Sequence, residues 1–222
     1  MKKLIIANWK MNGNTELVRQ FADILNNKNF VLAPPFPLIS IAKYLNSNAI
    51  IAAQDCSIYN EKGAYTGEIS AKILKESGAE YVILGHSERR KFFNESAEIL
   101  NKKLTNAKNA GLEVIFCVSE AYEQQLKEVD NINNLIIAYE PVSAIGTGII
   151  PAAEEVNSIL GEIKLIAGSG IKTLYGGSVS SNNIADFFNL KNLDGVLVGG
   201  ASLNRTEVEH MCNLLTDKVG SK

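Results

Sequence analysis

Eight short runs that are apolar almost throughout constrain this chain more than any other feature: residues 3–6, 30–33, 49–53, 81–84, 112–117, 135–139, 172–175 and 194–198. A run without polar alternation reads as a strand covered on both faces, the mark of a parallel sheet. Between the runs lie segments with helical spacing, such as Leu17-Phe21-Ile24-Leu25, Ile69-Ile73-Leu74, Ile99-Leu104-Ala107 and Val208-Met211-Leu214-Leu215. The runs start about 27 residues apart, room for a strand, a helix and two short turns. Eight consecutive βα units, with no linker or charge run between them, predict an α/β chain with a single domain over residues 1–222, closed into an eight-stranded parallel barrel. An open doubly wound sheet is the competing architecture. It requires a glycine-rich fingerprint after the first strand, where this chain has Ala7-Asn8-Trp9-Lys10.

Charge and composition narrow the function. With 22 Lys+Arg against 24 Asp+Glu, the net charge is −2, which argues against nucleic acid or an anionic membrane as a charge-driven partner. No apolar stretch approaches the roughly 18 residues of a membrane span. Asn8 interrupts the N-terminal apolar run too early for a secretion signal. Cys56, Cys117 and Cys212 are odd in number and show no metal-ligand or redox spacing, so reduced thiols in the cytoplasm are expected, and no metal site.

In a barrel of this kind the chemistry collects at the carboxyl ends of the strands. Those ends carry Asn8 and Lys10, Gln54 and Asp55, Gly85-His86, Cys117 and Glu120, Glu140, Gly176-Gly177-Ser178 and Gly199-Gly200. Glu140 ends an apolar strand, and Pro141 holds it extended. Desolvation there would raise its pKa toward that of a general base, against the plainer reading of a surface glutamate. His86 follows a strand at the start of a short helix, whose N-terminus disfavours a cation, so a neutral imidazole able to donate to a substrate oxygen is expected. Lys10 shares that rim and would attract an anion. Glycines cluster in three late turns, at 146–148, 176–177 and 199–200, where backbone N–H groups can close on a phosphate. The segment Pro141-Val142-Ser143-Ala144-Ile145-Gly146-Thr147-Gly148 reads as a lid, with a proline-set start and a Gly-Thr-Gly end.

At these residues the chain closely resembles the triosephosphate isomerase family over essentially its whole length. The matching pieces are Ala7-Asn8-Trp9-Lys10-Met11-Asn12, Gly63-Ala64-Tyr65-Thr66-Gly67-Glu68, Gly85-His86-Ser87-Glu88-Arg89-Arg90, Ala138-Tyr139-Glu140-Pro141, Ala144-Ile145-Gly146-Thr147-Gly148 and Tyr175-Gly176-Gly177-Ser178-Val179. The resemblance implies a TIM barrel that interconverts dihydroxyacetone phosphate and glyceraldehyde 3-phosphate through an enediolate, in glycolysis and gluconeogenesis, with no cofactor. It implies Glu140 as base, neutral His86 as proton shuttle and electrophile, and Lys10 and Asn8 as stabilisers of developing charge. Gly146, Ser178, Gly199 and Gly200 would hold the phosphate, with Glu88, Ser87 and Gly177 in support. It also implies a homodimer in which the segment around Thr66 reaches into the neighbouring subunit.

The chain departs from the family pattern in places. It is short between Ser119 and Leu135 and between Ala152 and Lys172, which predicts truncated outer helices after strands 5 and 6, the second made irregular by Gly161 and Gly168-Ser169-Gly170. Ser143 stands where most relatives carry tryptophan, and a hydrogen bond from Ser143 to Glu120 would compensate. Two other functions fit the same barrel: an aldolase or lyase using Lys10 in a Schiff base, and a phosphate-binding barrel without catalysis.

Overall fold

The computed structural model describes residues 3–144 and 150–217. Its strands are β1 (Leu4–Asn8), β2 (Phe30–Ala33), β3 (Ile50–Ala53), β4 (Tyr81–Leu84), β5 (Glu113–Val118), β6 (Ile136–Tyr139), β7 (Lys172–Tyr175) and β8 (Gly195–Val198). Each lies within two residues of the run that predicts it. The strands pair in parallel and in chain order. β1 closes the ring by pairing with both β2 and β8, so Ile6 sits beside Val31 on one side and Leu197 on the other.

The absence of polar alternation has a direct cause in the packing. One side-chain parity of the strands fills the barrel interior, including Ile6, Ile83, Ile115, Ala138, Leu174 and Leu197. The other parity, including Ile5, Ala7, Val82 and Ile137, packs outward in a single cluster with helix residues such as Val18, Leu104 and Leu160. Strand side chains alternate with period two, so each interior row points at a residue just past the strand. The row Ile136, Ala138 leads to Glu140, and the row Leu4, Ile6 leads to Asn8.

The outer layer consists of α1 (Thr15–Gln20), α2 (Ile39–Leu45), α3 (Ala71–Glu76), α4 (Ser87–Phe93), α5 (Ala97–Asn109), α6 (Tyr122–Lys127), α7 (Ala153–Ala167), α8 (Ile184–Phe188) and α9 (Arg205–Asp217). The helix after strand 5 has only 6 residues. The expected irregularity after strand 6 is not found, because α7 runs 15 residues without a break. Gly161 does not interrupt it: a Cβ there would lie 2.8 Å from Asn192 Nδ2, so the missing side chain makes room for a close approach. Asn192 uses that approach to donate to Asn157 O at 2.9 Å. The glycine that ends the helix is Gly168, its C-cap, whose N–H donates to Lys164 O.

Asp55, read from the sequence as a residue of the strand-end rim, belongs instead to a buried charge network. Lys103 Nζ lies 2.7 Å from Asp55 and 2.6 Å from Glu95, and Arg89 reaches the same two carboxylates at 2.9 and 2.6 Å. Burial raises the Asp55 carboxyl above its ordinary value, with Lys103 pulling the other way. Breaking a buried ion network by removing one partner is costly, because the opposite charges stay buried. Lys103→Met is therefore expected to lose about 3–5 kcal/mol of stability, measured by urea unfolding. A loss under about 1 kcal/mol, the worth of an exposed pair, would show the network to be solvated.

Candidate active site

Glu140 begins where β6 ends. Its N–H donates to Val118 O at 2.8 Å, which continues the β5–β6 ladder by one residue and carries the side chain over the barrel mouth. Glu140 is 2% exposed. Its Oε2 accepts the Ser87 N–H at 3.3 Å, and its Oε1 lies 3.2 Å from His86 Nε2. Burial pushes the Glu140 carboxyl above its ordinary value, while His86, the Ser87 N–H, Lys10 and the Cys117 thiol pull back against it.

His86 is the N-cap of α4. Its Nδ1 accepts the Glu88 N–H at 3.2 Å, and a ring nitrogen that accepts carries no proton. The neutral imidazole therefore holds its proton on Nε2, the nitrogen facing Glu140. Gly85, with φ of 71°, turns the chain out of β4 and delivers His86 to the mouth.

Lys10 adopts φ of 53°, a left-handed backbone unusual for lysine. Two side chains hold it there. Asn8 Oδ1 accepts the Lys10 N–H at 3.0 Å, and Gln54 Nε2 donates to Lys10 O at 2.8 Å. The ammonium ends 2.6 Å from Glu88 Oε1. Asn8, Lys10, His86 and Glu140 thus line one cavity of about 380 Å³, whose other wall is Gly176 to Ser178 with Gly199 and Gly200. Gly176 leaves space for the carboxylate, since a Cβ there would lie 2.8 Å from Glu140 Cγ.

The segment expected to be a lid is described as far as Ala144. Pro141 and Ala144 are buried, Val142 and Ser143 are exposed, and residues 142–144 form a 3-10 turn. Ile145, Gly146, Thr147 and Gly148 lie outside the described residues. The Ser143 N–H and hydroxyl both reach Glu120 Oε1 at 3.3 Å, the contact expected from the sequence. Burial pushes Glu120 up, but the N–H groups of Glu120, Ser143 and Val142 outweigh it and hold the carboxyl below its ordinary value. The Ser178 hydroxyl donates to Ala144 O at 2.6 Å, tying the glycine wall to the 142–144 turn. Thr66 lies away from this cavity, in an exposed loop whose Tyr59 and Tyr65 rings stack at 3.7 Å.

Of three residues that support the site, Gln54 and Cys117 stand among the strand-end residues read from the sequence, whereas Arg90 has no signal in spacing or composition. Gln54 supports the Lys10 backbone, the Cys117 thiol pulls the Glu140 carboxyl down against the effect of burial, and Arg90 bridges strand ends. For Cys117 the interior row that contains Ile115 was a usable signal. Gln54 and Arg90 act through carbonyls brought near them only by folding.

A closed parallel barrel with a buried carboxylate, a proton-bearing imidazole nitrogen and an ammonium around one small cavity defines a β/α-barrel protein equipped for general acid–base chemistry. The sequence profile of the triosephosphate isomerase family matches residues 3–215. Among curated proteins, the triosephosphate isomerase of Thermodesulfovibrio yellowstonii is 40% identical, covering 91% of this chain and 95% of its own length. That of Mesomycoplasma hyopneumoniae is 41% identical, covering 93% and 97%. A crystal structure of triosephosphate isomerase from Bartonella henselae superposes with a TM-score of 0.87 at 32% identity, over 97% of this chain and all of that one. The chain belongs to the triosephosphate isomerase family.

Proposed function

We infer that the protein is an isomerase of triose phosphates, interconverting dihydroxyacetone phosphate and D-glyceraldehyde 3-phosphate, with Glu140, His86, Lys10 and Asn8 as its catalytic groups. The observation that carries this reading is the convergence of Glu140 Oε1 and His86 Nε2, 3.2 Å apart, with Lys10 on the same small cavity. Glu140 takes the proton from the carbon beside the substrate carbonyl, and His86 Nε2–H donates to the carbonyl oxygen. Glu140 returns the proton to the neighbouring carbon, while His86 gives its Nε2 proton to the former carbonyl oxygen and takes back the hydroxyl proton of the neighbouring carbon, so no atom is gained or lost. Neutral imidazole and a closing lid are the established pattern of this family. Here the Glu88 N–H at Nδ1 supports the first.

Lys10 and Asn8 stabilise negative charge as it develops on the substrate oxygens. The backbone of Gly199, Gly200 and Gly177, with Ser178 and Gly146, holds the phosphate, and Ser87 and Glu88 orient the base and the ammonium. A closed lid over residues 141–148 keeps water from the enediolate, which would otherwise eliminate its phosphate. The ion pair of Lys10 with Glu88 disfavours the Schiff-base alternative, which needs a neutral amine as nucleophile. A coupled assay in both directions tests the reading. Absence of isomerisation, or a substrate-dependent borohydride adduct on Lys10, would overturn it.

The active form is a homodimer acting as one domain per protomer over residues 1–222, in the cytoplasm. Met11, Tyr65, Phe92 and Phe93 are exposed apolar residues, which supports self-association. Cys56, Cys117 and Cys212 are free and buried, which suits a reducing compartment. Thr66→Arg is expected to shift the protein to monomer in gel filtration and to lose most of its activity. A Thr66→Arg protein that stays dimeric and fully active would remove Thr66 from the interface.

A further inference from the structure

We propose that Arg90 is a positioning residue for the isomerisation: its guanidinium ties the carboxyl end of β4 to that of β5 and so fixes His86 relative to Glu140. The inference rests on the catalytic roles given above to those two groups.

The ladder between β4 and β5 ends at Leu84 paired with Phe116. One residue further, Gly85 turns away with φ of 71°, so the strands cannot continue to pair just where the site begins. Arg90, from α4, closes the gap. Its Nε–H donates to Gly85 O at 2.8 Å, and an Nη2–H donates to Cys117 O at 3.2 Å. The guanidinium also lies over the Phe116 ring, 5.5 Å from its centroid, which fixes its plane. A fork of rigid donors is suited to two carbonyls at once in a way that a single ammonium is not.

The carbonyls it joins are well placed. Gly85 immediately precedes His86. Cys117 precedes Val118, whose carbonyl accepts the Glu140 N–H at 2.8 Å. A chain of direct contacts therefore runs from His86 through Gly85, Arg90 and the Cys117–Val118 strand end to Glu140. The glycine wall on β7 and β8 is not part of it. Space there is also matched to arginine, since a Cβ on Gly85 would stand 2.8 Å from Arg90 Nη2.

The test compares Arg90→Lys and Arg90→Ala with the wild type and with Glu140→Gln, in the full-length protein. A displacement of about 1 Å between reacting groups costs up to roughly 100-fold in rate. The expected result for Arg90→Lys is a fall in kcat of about 10- to 100-fold with KM within about threefold. Arg90→Ala should be slower still, and guanidinium at millimolar concentration should restore part of its kcat. A folded Arg90→Lys protein with wild-type kcat, or a loss confined to KM, would overturn the proposal. If Arg90→Ala does not fold, Arg90→Lys decides alone, and failure of both to fold would make Arg90 a folding residue and overturn the positioning role. An active Glu140→Gln would instead remove the catalytic reading on which the proposal rests.

Discussion

Replacing Glu140 with glutamine should lower kcat by about 10²- to 10⁴-fold in both directions, the range a positioned general base supplies, while KM changes far less. Glutamine keeps the shape of the side chain and an oxygen able to accept the Ser87 N–H, so the lost function is the basicity itself. Steady-state rates from dihydroxyacetone phosphate and from glyceraldehyde 3-phosphate check this, and equal rates for variant and wild type would strip Glu140 of its role. The sign of the pH effect follows from burial. Desolvation is the largest influence on this carboxyl and raises it, so a carbon-13 NMR titration of the free protein should find it above the ordinary glutamate value of about 4.3. The base is active only when deprotonated, so activity falls as pH drops through that raised value. The same shift makes the charged form cost stability at neutral pH, a cost that fades as pH falls through the folded-state value. A base placed where its charge is disfavoured is reactive for that reason.

The second large effect is expected at Lys10. Among the described residues lining the cavity it is the single lysine or arginine, so no neighbouring cation can replace it against a phosphate ester and an enediolate. Lys10→Met should cost about 10²- to 10³-fold in kcat, the loss seen when one preorganised stabiliser of developing charge is removed. KM should rise as well, because the ammonium also attracts the anionic ground state. Methionine retains the length of the stem, and the left-handed backbone at this position is held by Asn8 and Gln54 through main-chain atoms, so the fold should survive. Circular dichroism checks the fold, and the assay in both directions checks the rates. A kcat within threefold of wild type would show that the charge lies too far from the reacting oxygens to matter.

Much of the architecture was legible before folding because burial leaves its own mark on a strand. Ile136-Ile137-Ala138-Tyr139 has no polar alternation since Ile136 and Ala138 fill the barrel while Ile137 and Tyr139 pack under helices. The same parity leads to Glu140. The helices were less legible. Gly161 looked like a break because glycine is a poor helix former, yet a tertiary neighbour, Asn192, needs the space that its missing side chain provides. Asp55 sits at a strand end like a catalytic group, and only Lys103 and Arg89, contributed by later helices, show that its charge is matched inside the protein.

The order of residues by itself determined the barrel, its strands to within two residues and the set of polar groups at the strand ends, because side-chain parity and strand ends are local properties of the chain. Only the tertiary structure decided the ring nitrogen of His86 that keeps its proton, the depth at which Glu140 is desolvated and the linkage of strand ends by Arg90. Those properties depend on distances between segments far apart in the chain, and a distance of that kind exists only once the ring has closed.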